Sequence, residues 1–241
     1  MDKIFVIEKE YATKNIDGIH LRYLLAKLSK YHLDKMMVMT AEEAHSIAGE
    51  KVIPVGDIEF VQSFLPEKML PLEVPACLRR FVARDYDIMK GCEIPNDIME
   101  NQGNYFFKDA DTLKKWNSSL EIGDVGRFIE SDTNYVVSRK VDFLAEYRVF
   151  VFEDEVQACQ YYIGDPLLFP ERRCIETLVS EYSNHKHPEA YTLDVGIFEN
   201  KSGYCTDIIE VHPFVACGLY GFSDRCIPEM LEAGYEWYKN Q

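Results

Sequence analysis

Short apolar runs alternate with amphipathic stretches over the first third of the chain. The runs KIFVIE (3–8), KMMVM (35–39) and VIPV (52–55) are each typical of a buried strand. Leucines recur at helical spacing between residues 18 and 29, and Thr40, with an acid three residues later, begins a second helical pattern. Because strands and helices alternate, this region is predicted to be a small open α/β unit with a mainly parallel sheet.

Prolines at 66, 71 and 75 mark a change in this pattern, and PLEVPA (71–76) is predicted to be a linker. Strand patterns separated by polar turns then predominate. The predicted strands are NYFFKDA (104–110), RFIE (127–130), YVVSRKVDF (135–143), EYRVFVF (146–152), VQACQYYIG (156–164), AYTLDVGIFE (190–199) and YCTDIIEVH (204–212). With a final helix from about 228 to 238, the predicted class is α/β in the first third and α+β after it.

The stretch TDIIEVHPF (206–214) has the pattern of a buried strand, yet it carries an acid and an imidazole on one face. If the turn before it has three residues, counting outward places Asp194 directly opposite Glu210. Facing acids destabilise a sheet unless a cation lies between them, and Mg²⁺ prefers such ligands. His212 lies on the same face. The alternative is a solvent-exposed face with ordinary charges, and a β-bulge would undo the pairing.

Two basic residues lie among aromatic residues in the predicted strands. Arg148 shares a strand face with Glu146 and Phe150, and Lys108 directly follows three aromatic residues. Taken singly, each is best explained as a residue whose charged head reaches water. Taken together with the two acids, they form the parts of a site for a Mg²⁺–nucleotide complex.

The charge balance limits the partners of the chain. Lys and Arg total 26 against 41 Asp and Glu, and the formal net charge of −15 disfavours nucleic acid and membrane surfaces. The arginines at 79, 80 and 84 are interpreted as a solvated helix face, with attraction of an anionic substrate as the alternative. Seven scattered cysteines without CxxC spacing, and no long apolar run, predict a cytoplasmic protein with reduced thiols. The oligomeric state is left open.

No GxxxxGK[ST] or GxGxxG fingerprint is present, so neither a P-loop nor a dinucleotide fold is supported. The order of the segments instead resembles the ATP-grasp superfamily, most closely its clade named for an arginine and two lysine signatures. The matching segments are PVGDIEFV (54–61), YFFKDADTLKKW (105–116), YVVSRKVDFLAEYRVFV (135–151), QYYIGDP (160–166), AYTLDVGIF (190–198) and IIEVHPFVACGLYG (208–221). They run in family order and cover most of the chain.

The resemblance implies an ATP-grasp fold in three parts. These are an N-terminal pre-grasp α/β domain (1–75), a small lid subdomain (76–136) and a C-terminal antiparallel-sheet subdomain that binds metal and nucleotide (137–241). It also implies an ATP- and Mg²⁺-dependent, ADP-forming ligase, with Mn²⁺ as an alternative ion. Such a ligase joins a small-molecule or peptide carboxylate to an amine through an acylphosphate. A small-molecule kinase and a catalytically degenerate nucleotide-binding module are the competing interpretations.

The resemblance also assigns nucleotide contacts to positions of this sequence. Lys108 matches the lysine on the small-subdomain strand that holds the ATP phosphates, and Lys114 matches the ATP-binding lysine of the mobile loop after it. Arg148 matches the arginine that touches the transferred phosphate. Glu146 matches a ribose-binding or supporting acid. The hinge that would hydrogen-bond adenine consists of Ser138, Arg139, Lys140 and Val141.

The metal ligands implied by the resemblance are Asp194 and Glu210, with His212 beside them. His212 departs from the family, which usually has an asparagine at this position. Imidazole is a softer ligand than an amide oxygen, so this position is expected to alter the metal preference or to mark lost catalysis.

Overall fold

The structure, a computed structural model, describes residues 3–28, 36–47, 51–113 and 125–241. These residues form three sheets with helices packed between and around them. None of the helices in these four segments is long and apolar enough to cross a membrane.

The first sheet is parallel, as the alternating pattern predicts. Its central strand β1 (Lys3–Glu8) lies between β2 (Met36–Met39) and β3 (Lys51–Val55). Val6 and Ile53 are fully buried, so the apolar runs form the core of this unit. Four short helices flank the strands, namely α1 (Lys9–Lys14), α2 (Ile16–Leu28), α3 (Ala41–Ser46) and α4 (Ile58–Gln62).

The largest sheet has four antiparallel strands in the order β10–β9–β7–β8. The strands are β7 (Ala145–Phe152), β8 (Glu155–Gly164), β9 (Ala190–Asn200) and β10 (Gly203–Pro213). One face packs on α6 (Arg172–Tyr182) through apolar residues that include Val149, Leu193 and Ile208. The other face is apolar at Phe150, which joins the core of the first sheet. It is polar from Arg148, two residues earlier in the same strand.

The third sheet is small and antiparallel, in the order β4–β6–β5. Its strands are β4 (Tyr86–Lys90), β5 (Tyr105–Asp109) and β6 (Asn134–Arg139), and α5 (Asn96–Glu100) packs on their core. The predicted strand at 127–130 is wrong, because Val125–Phe128 forms a 3₁₀ turn that buries Val125 and leaves Phe128 half exposed. The domain boundaries at residues 75 and 136 stay predictions, and β6 runs across the second of them.

The last helix, α7 (Ile227–Lys239), packs into the core that the first sheet shares with the four-stranded sheet. Met230 is fully buried there, and the Tyr238 hydroxyl donates to the Leu70 carbonyl oxygen at 3.0 Å. Gly234 allows the close approach of the helix, because a Cβ at this position would lie 2.4 Å from the carbonyl oxygen of Phe214.

Gly234→Ala is expected to lower the free energy of unfolding by about 1–3 kcal/mol, because the added methyl group overlaps the Phe214 backbone. In an unpacked helix the same change would raise it by about 1 kcal/mol, so the sign reports on the packing. Urea denaturation measures the difference. Gly103→Ala is the control, since a Cβ at residue 103 meets nothing within 4 Å. A Gly234→Ala protein as stable as wild type would contradict the close approach.

Candidate functional site

The turn between β9 and β10 is one residue shorter than predicted. Asn200 pairs with Gly203 across a two-residue turn, where three residues were predicted. Asp194 nevertheless lies opposite Glu210, because a β-bulge at Ile209 shifts the register by one residue. A bulge was the alternative that would have undone the predicted pairing, and here it produces that pairing.

The bulge also decides which face of β10 is polar. Directly opposed residues share a face, so Glu210 lies on the face of Asp194, which lies opposite Arg148 on β7. With unbroken alternation, Glu210 would project into the apolar cluster that contains Val195 and the buried side of α6. The extra residue therefore aligns three charged side chains on three adjacent strands.

Arg148 and Asp194 form a buried bidentate ion pair. Arg148 Nε donates to Oδ1 at 2.8 Å and Nη2 donates to Oδ2 at 2.7 Å, while Nη1 donates to the Gly218 carbonyl oxygen at 3.2 Å. Burial alone would lower the pKa of the guanidinium, but Asp194 outweighs burial and raises it. Tyr162 and Tyr220 stack on each other, with ring centres 5.9 and 5.1 Å from the guanidinium carbon. Arg148 is thus a charged group held in one orientation.

Lys108 lies between two acids. Its Nζ contacts Glu210 Oε2 and lies 2.9 Å from Glu73 Oε1. Glu210 Oε1 in turn lies 2.9 Å from His212 Nε2. Burial alone would raise the pKa of Glu210, but His212 and Lys108 hold it well below the usual value of 4.5. Glu210 is therefore a carboxylate at neutral pH.

Glu73 belongs to the site, although PLEVPA was predicted to be a linker. The residue is 3% exposed, and its carbonyl oxygen accepts from the Val211 N–H at 2.8 Å in an isolated bridge to β10. Its φ of 52° lies in the left-handed region, which non-glycine residues adopt where their surroundings hold them. Burial raises the pKa of its carboxyl group, and Lys108 partly offsets this. The signal in the sequence was an acid flanked directly by Leu72 and Val74.

A cavity of about 630 Å³ lies between the small antiparallel sheet and the four-stranded sheet. Lys108, Glu210 and His212 line it. Glu146 also lines it, and its carboxylate accepts from the Tyr162 hydroxyl at 2.6 Å. The four predicted hinge residues line it too, namely Ser138, Arg139, Lys140 and Val141. Lys114 lies outside the described residues. The roles assigned to these residues by resemblance stay predictions.

The hinge uses two of its backbone donors within the protein. Arg139 N donates to the Asp85 carbonyl oxygen at 2.9 Å, and Lys140 N donates to the Asn104 carbonyl oxygen at 3.0 Å. A base in the cavity would therefore meet Val141 and the hinge carbonyl oxygens rather than these two N–H groups. Of the four predicted adenine contacts, Arg139 and Lys140 thus have backbone N–H groups that are already bonded within the protein.

The interpretation of residues 79, 80 and 84 as a solvated helix face is wrong for Arg84. Its side chain is 8% exposed, lines the cavity and pairs with the fully buried Asp207 at 2.6 Å. Arg80, four residues earlier, is exposed and pairs with Glu181 as a surface arginine does. The partner of Arg84 is 123 residues away in the sequence, so no local pattern could indicate it.

Asp194 and Glu210 offer hard oxygen ligands of the kind that Mg²⁺ prefers, on adjacent strands, and they stay the predicted metal ligands. Glu210 lines the cavity, whereas both oxygens of Asp194 accept from Arg148. In no part of the chain that the structure describes are three His, Cys, Asp or Glu side chains arranged to hold a metal by themselves. Mg²⁺ commonly takes one or two carboxylates and completes its shell with phosphate and water.

A small pocket of about 50 Å³ beside Arg148 shares Glu210 with this cavity and Cys217 with a second one. The second cavity measures about 450 Å³ and lies between the helices of the first sheet and the loop after β10. Its described lining residues include no Lys, Arg or His, and its acids are Asp17, Asp57 and Glu59.

Solved structures share this fold at low sequence identity. D-alanine–D-alanine ligase from Bacillus anthracis complexed with ATP is 13% identical, with a TM-score of 0.58 over 100% of this chain and 99% of that chain. N5-carboxyaminoimidazole synthetase from Staphylococcus aureus is 11% identical, with a TM-score of 0.58 over 97% and 77%. The ATP-grasp ligase PsnB complexed with a minimal precursor is 11% identical, with a TM-score of 0.53 over 97% and 100%. At such identities these similarities establish the fold alone.

A search of curated proteins finds no match. The model of an ATP-grasp domain family, the second family of the clade named for an arginine and two lysines, matches residues 99–229. This span contains the four-stranded sheet, β5 and β6. The match covers more than half of the chain and includes the strands that carry Lys108, Arg148, Asp194 and Glu210. The protein therefore belongs to the ATP-grasp superfamily, in the second family of that arginine-and-two-lysine clade.

Proposed function

We propose that the protein is an ATP- and Mg²⁺-dependent, ADP-forming ligase that joins a carboxylate to an amine through an acylphosphate. The observation that carries this proposal is the row of Arg148, Asp194 and Glu210 on three adjacent strands, with Lys108 against Glu210 at the cavity. The ATP-grasp ligases that share the fold, one of them complexed with ATP, support the same class of reaction. Mn²⁺ is an alternative ion for the same two carboxylates.

The proposed reaction has two steps. A carboxylate oxygen of the first substrate attacks the γ-phosphorus of ATP, the bond from γ-phosphorus to the bridging oxygen breaks, and ADP leaves with the electron pair. The amine then attacks the acyl carbon, a C–N bond forms, the C–O bond breaks, and phosphate leaves. The amine proton passes to solvent. No protein nucleophile is required, so the protein acts mainly by positioning and charge neutralisation.

The charged side chains divide this work between them. Lys108 and Arg148 would neutralise the phosphate oxygens, and their acid partners hold them in place before nucleotide arrives. Asp194 and Glu210 would hold Mg²⁺, which when bound supplies further neutralisation of the transferred phosphate. Since all four charges are largely buried, each acts in a medium that screens it less than water does.

The second cavity supports a reaction with two substrates besides ATP. It shares Cys217 with the small pocket lined by Arg148, the residue that matches the family's contact with the transferred phosphate. The acids Asp17, Asp57 and Glu59 suit an acceptor that carries a positive charge until it loses a proton, as an amine does. The fold relatives named above act on different substrates, so the identity of carboxylate and amine follows from none of them.

Trapping with hydroxylamine tests the acylphosphate. With ATP, Mg²⁺ and a panel of amino acids and short peptides, the protein is expected to form a hydroxamate and ADP in equal amounts, because hydroxylamine replaces the amine acceptor. Colorimetric hydroxamate detection and chromatography of the nucleotides give the ratio. A stable phosphorylated product without hydroxamate would identify a kinase. ATP binding in calorimetry, with no ADP formed across the panel, would identify a nucleotide-binding module.

In wild type, Mg²⁺ is expected to strengthen nucleotide binding. In Glu210→Gln the factor by which Mg²⁺ raises the nucleotide affinity should be at least about tenfold smaller, because one of two hard ligands is lost. Without metal the same variant should bind a non-hydrolysable ATP analogue as well as wild type or better, since Lys108 loses a competing carboxylate. Calorimetry with and without Mg²⁺ separates the two effects.

Glu199→Gln is the matched control, because Glu199 is an exposed acid near the end of β9. It should leave both affinities unchanged. An undiminished Mg²⁺ effect in Glu210→Gln would contradict the metal assignment.

A further inference from the structure

Arg84 contacts two neighbouring carbonyl groups at the β-bulge of Ile209. Arg84 Nη1 donates to the Ile208 carbonyl oxygen at 2.7 Å, and Nη2 lies 3.5 Å from the Ile209 carbonyl oxygen. Nη1 also donates to Asp207 Oδ2 at 2.6 Å. The guanidinium therefore contacts three consecutive residues of β10, immediately before Glu210.

The Arg84 guanidinium is itself fixed by an acid and by two aromatic rings. Asp207 Oδ1 accepts from the Ala83 N–H at 3.0 Å, so the acid fixes both the backbone and the side chain of this segment. The rings of Tyr86 and Phe143 lie 5.6 and 5.8 Å from the guanidinium carbon. Phe143 packs so closely on Gly196, the cross-strand partner of Asp207, that a Cβ on residue 196 would lie 2.2 Å from its ring.

The identity of the residues on β10 favours the bulge, but it does not set the shape of the bulge. Asp207 and Glu210 suit the polar face, and Ile208 and Val211 suit the apolar face, which is possible only with one extra residue between them. The extra residue has no ladder partner, so its backbone can adopt several shapes. Each shape would aim the Glu210 carboxylate differently relative to Asp194.

We infer that Arg84 is a positioning residue that fixes the bulge at Ile209 and thereby aims Glu210 at Asp194. A planar guanidinium with donors in a fixed fork suits this task, because it bonds a carboxylate and two carbonyl oxygens at once. The inference rests on the proposed function only in taking Asp194 and Glu210 as metal ligands. The control of the bulge by Arg84 holds whatever the cavity binds.

The double variant Arg84→Met/Asp207→Asn tests this inference. It removes both members of the buried ion pair, so no unpaired charge remains, and the amide oxygen of the substituted side chain can still accept from the Ala83 N–H. With a non-hydrolysable ATP analogue at saturation, the affinity for Mn²⁺ measured by electron paramagnetic resonance should fall by roughly 10- to 100-fold. In the protein without nucleotide or metal, amide hydrogen exchange over residues 205–211 should be faster than in wild type.

Arg80→Met is the matched control, because Arg80 lies in the same segment but pairs with Glu181 at the surface. It should change neither measurement. If the double variant does not fold, Arg84→Lys carries the same expectation, since lysine keeps the charge opposite Asp207 and loses only the fork.

Wild-type Mn²⁺ affinity in a folded variant would overturn the inference, whether or not exchange is faster, because Arg84 would then have only a structural role. Absence of Mn²⁺ binding by wild type would contradict the proposed function instead. In that case unchanged exchange over 205–211 would overturn the role of Arg84, and faster exchange would support it.

Discussion

The single extra residue in β10 is the constraint on which the site depends. A strand alternates its side chains strictly, so one inserted residue exchanges the two faces of everything that follows it. Ile209 makes that exchange between Asp207 and Glu210. Before it and after it, the acids stay on the polar face, while Ile208 and Val211 stay in the core beside α6. Without it, the sheet would have to bury Glu210 among apolar side chains.

The charged groups gathered at this face are paired with one another before any ligand binds. Arg148 pairs with Asp194 through two hydrogen bonds, and Lys108 lies between Glu210 and Glu73. Buried charges without partners would be costly, so the folded protein needs these pairs in its own right. The same groups are the ones that a metal and a phosphate would engage. The same side chains therefore serve stability and the proposed chemistry. Their partners are other side chains in the first case and a metal or a phosphate in the second.

Two segments that are far from β10 in the sequence contact this strand at the site. The segment 71–76 contributes Glu73, which bridges to Val211 and contacts Lys108 of the small sheet. The segment before β4 contributes Arg84, which packs on Phe143 near the hinge and bonds to the strand. Because the cavity lies between the two antiparallel sheets, these contacts join both of its walls. A change in the position of the small sheet would therefore alter the contacts of Glu210 on β10.

The sequence by itself determined the parallel first sheet, most of the strands and the opposition of Asp194 and Glu210. These follow from short-range patterns, namely alternation, helical spacing and counting outward from a turn. Even so, the counting succeeded through two departures that cancel, a turn one residue shorter than predicted and a bulge one residue long. Only the tertiary structure decided the places of Glu73 and Arg84. The apolar neighbours of Glu73 are a local sign of its burial. In both cases, however, the oppositely charged partner that makes burial possible lies far away along the chain, where no local pattern can reveal it.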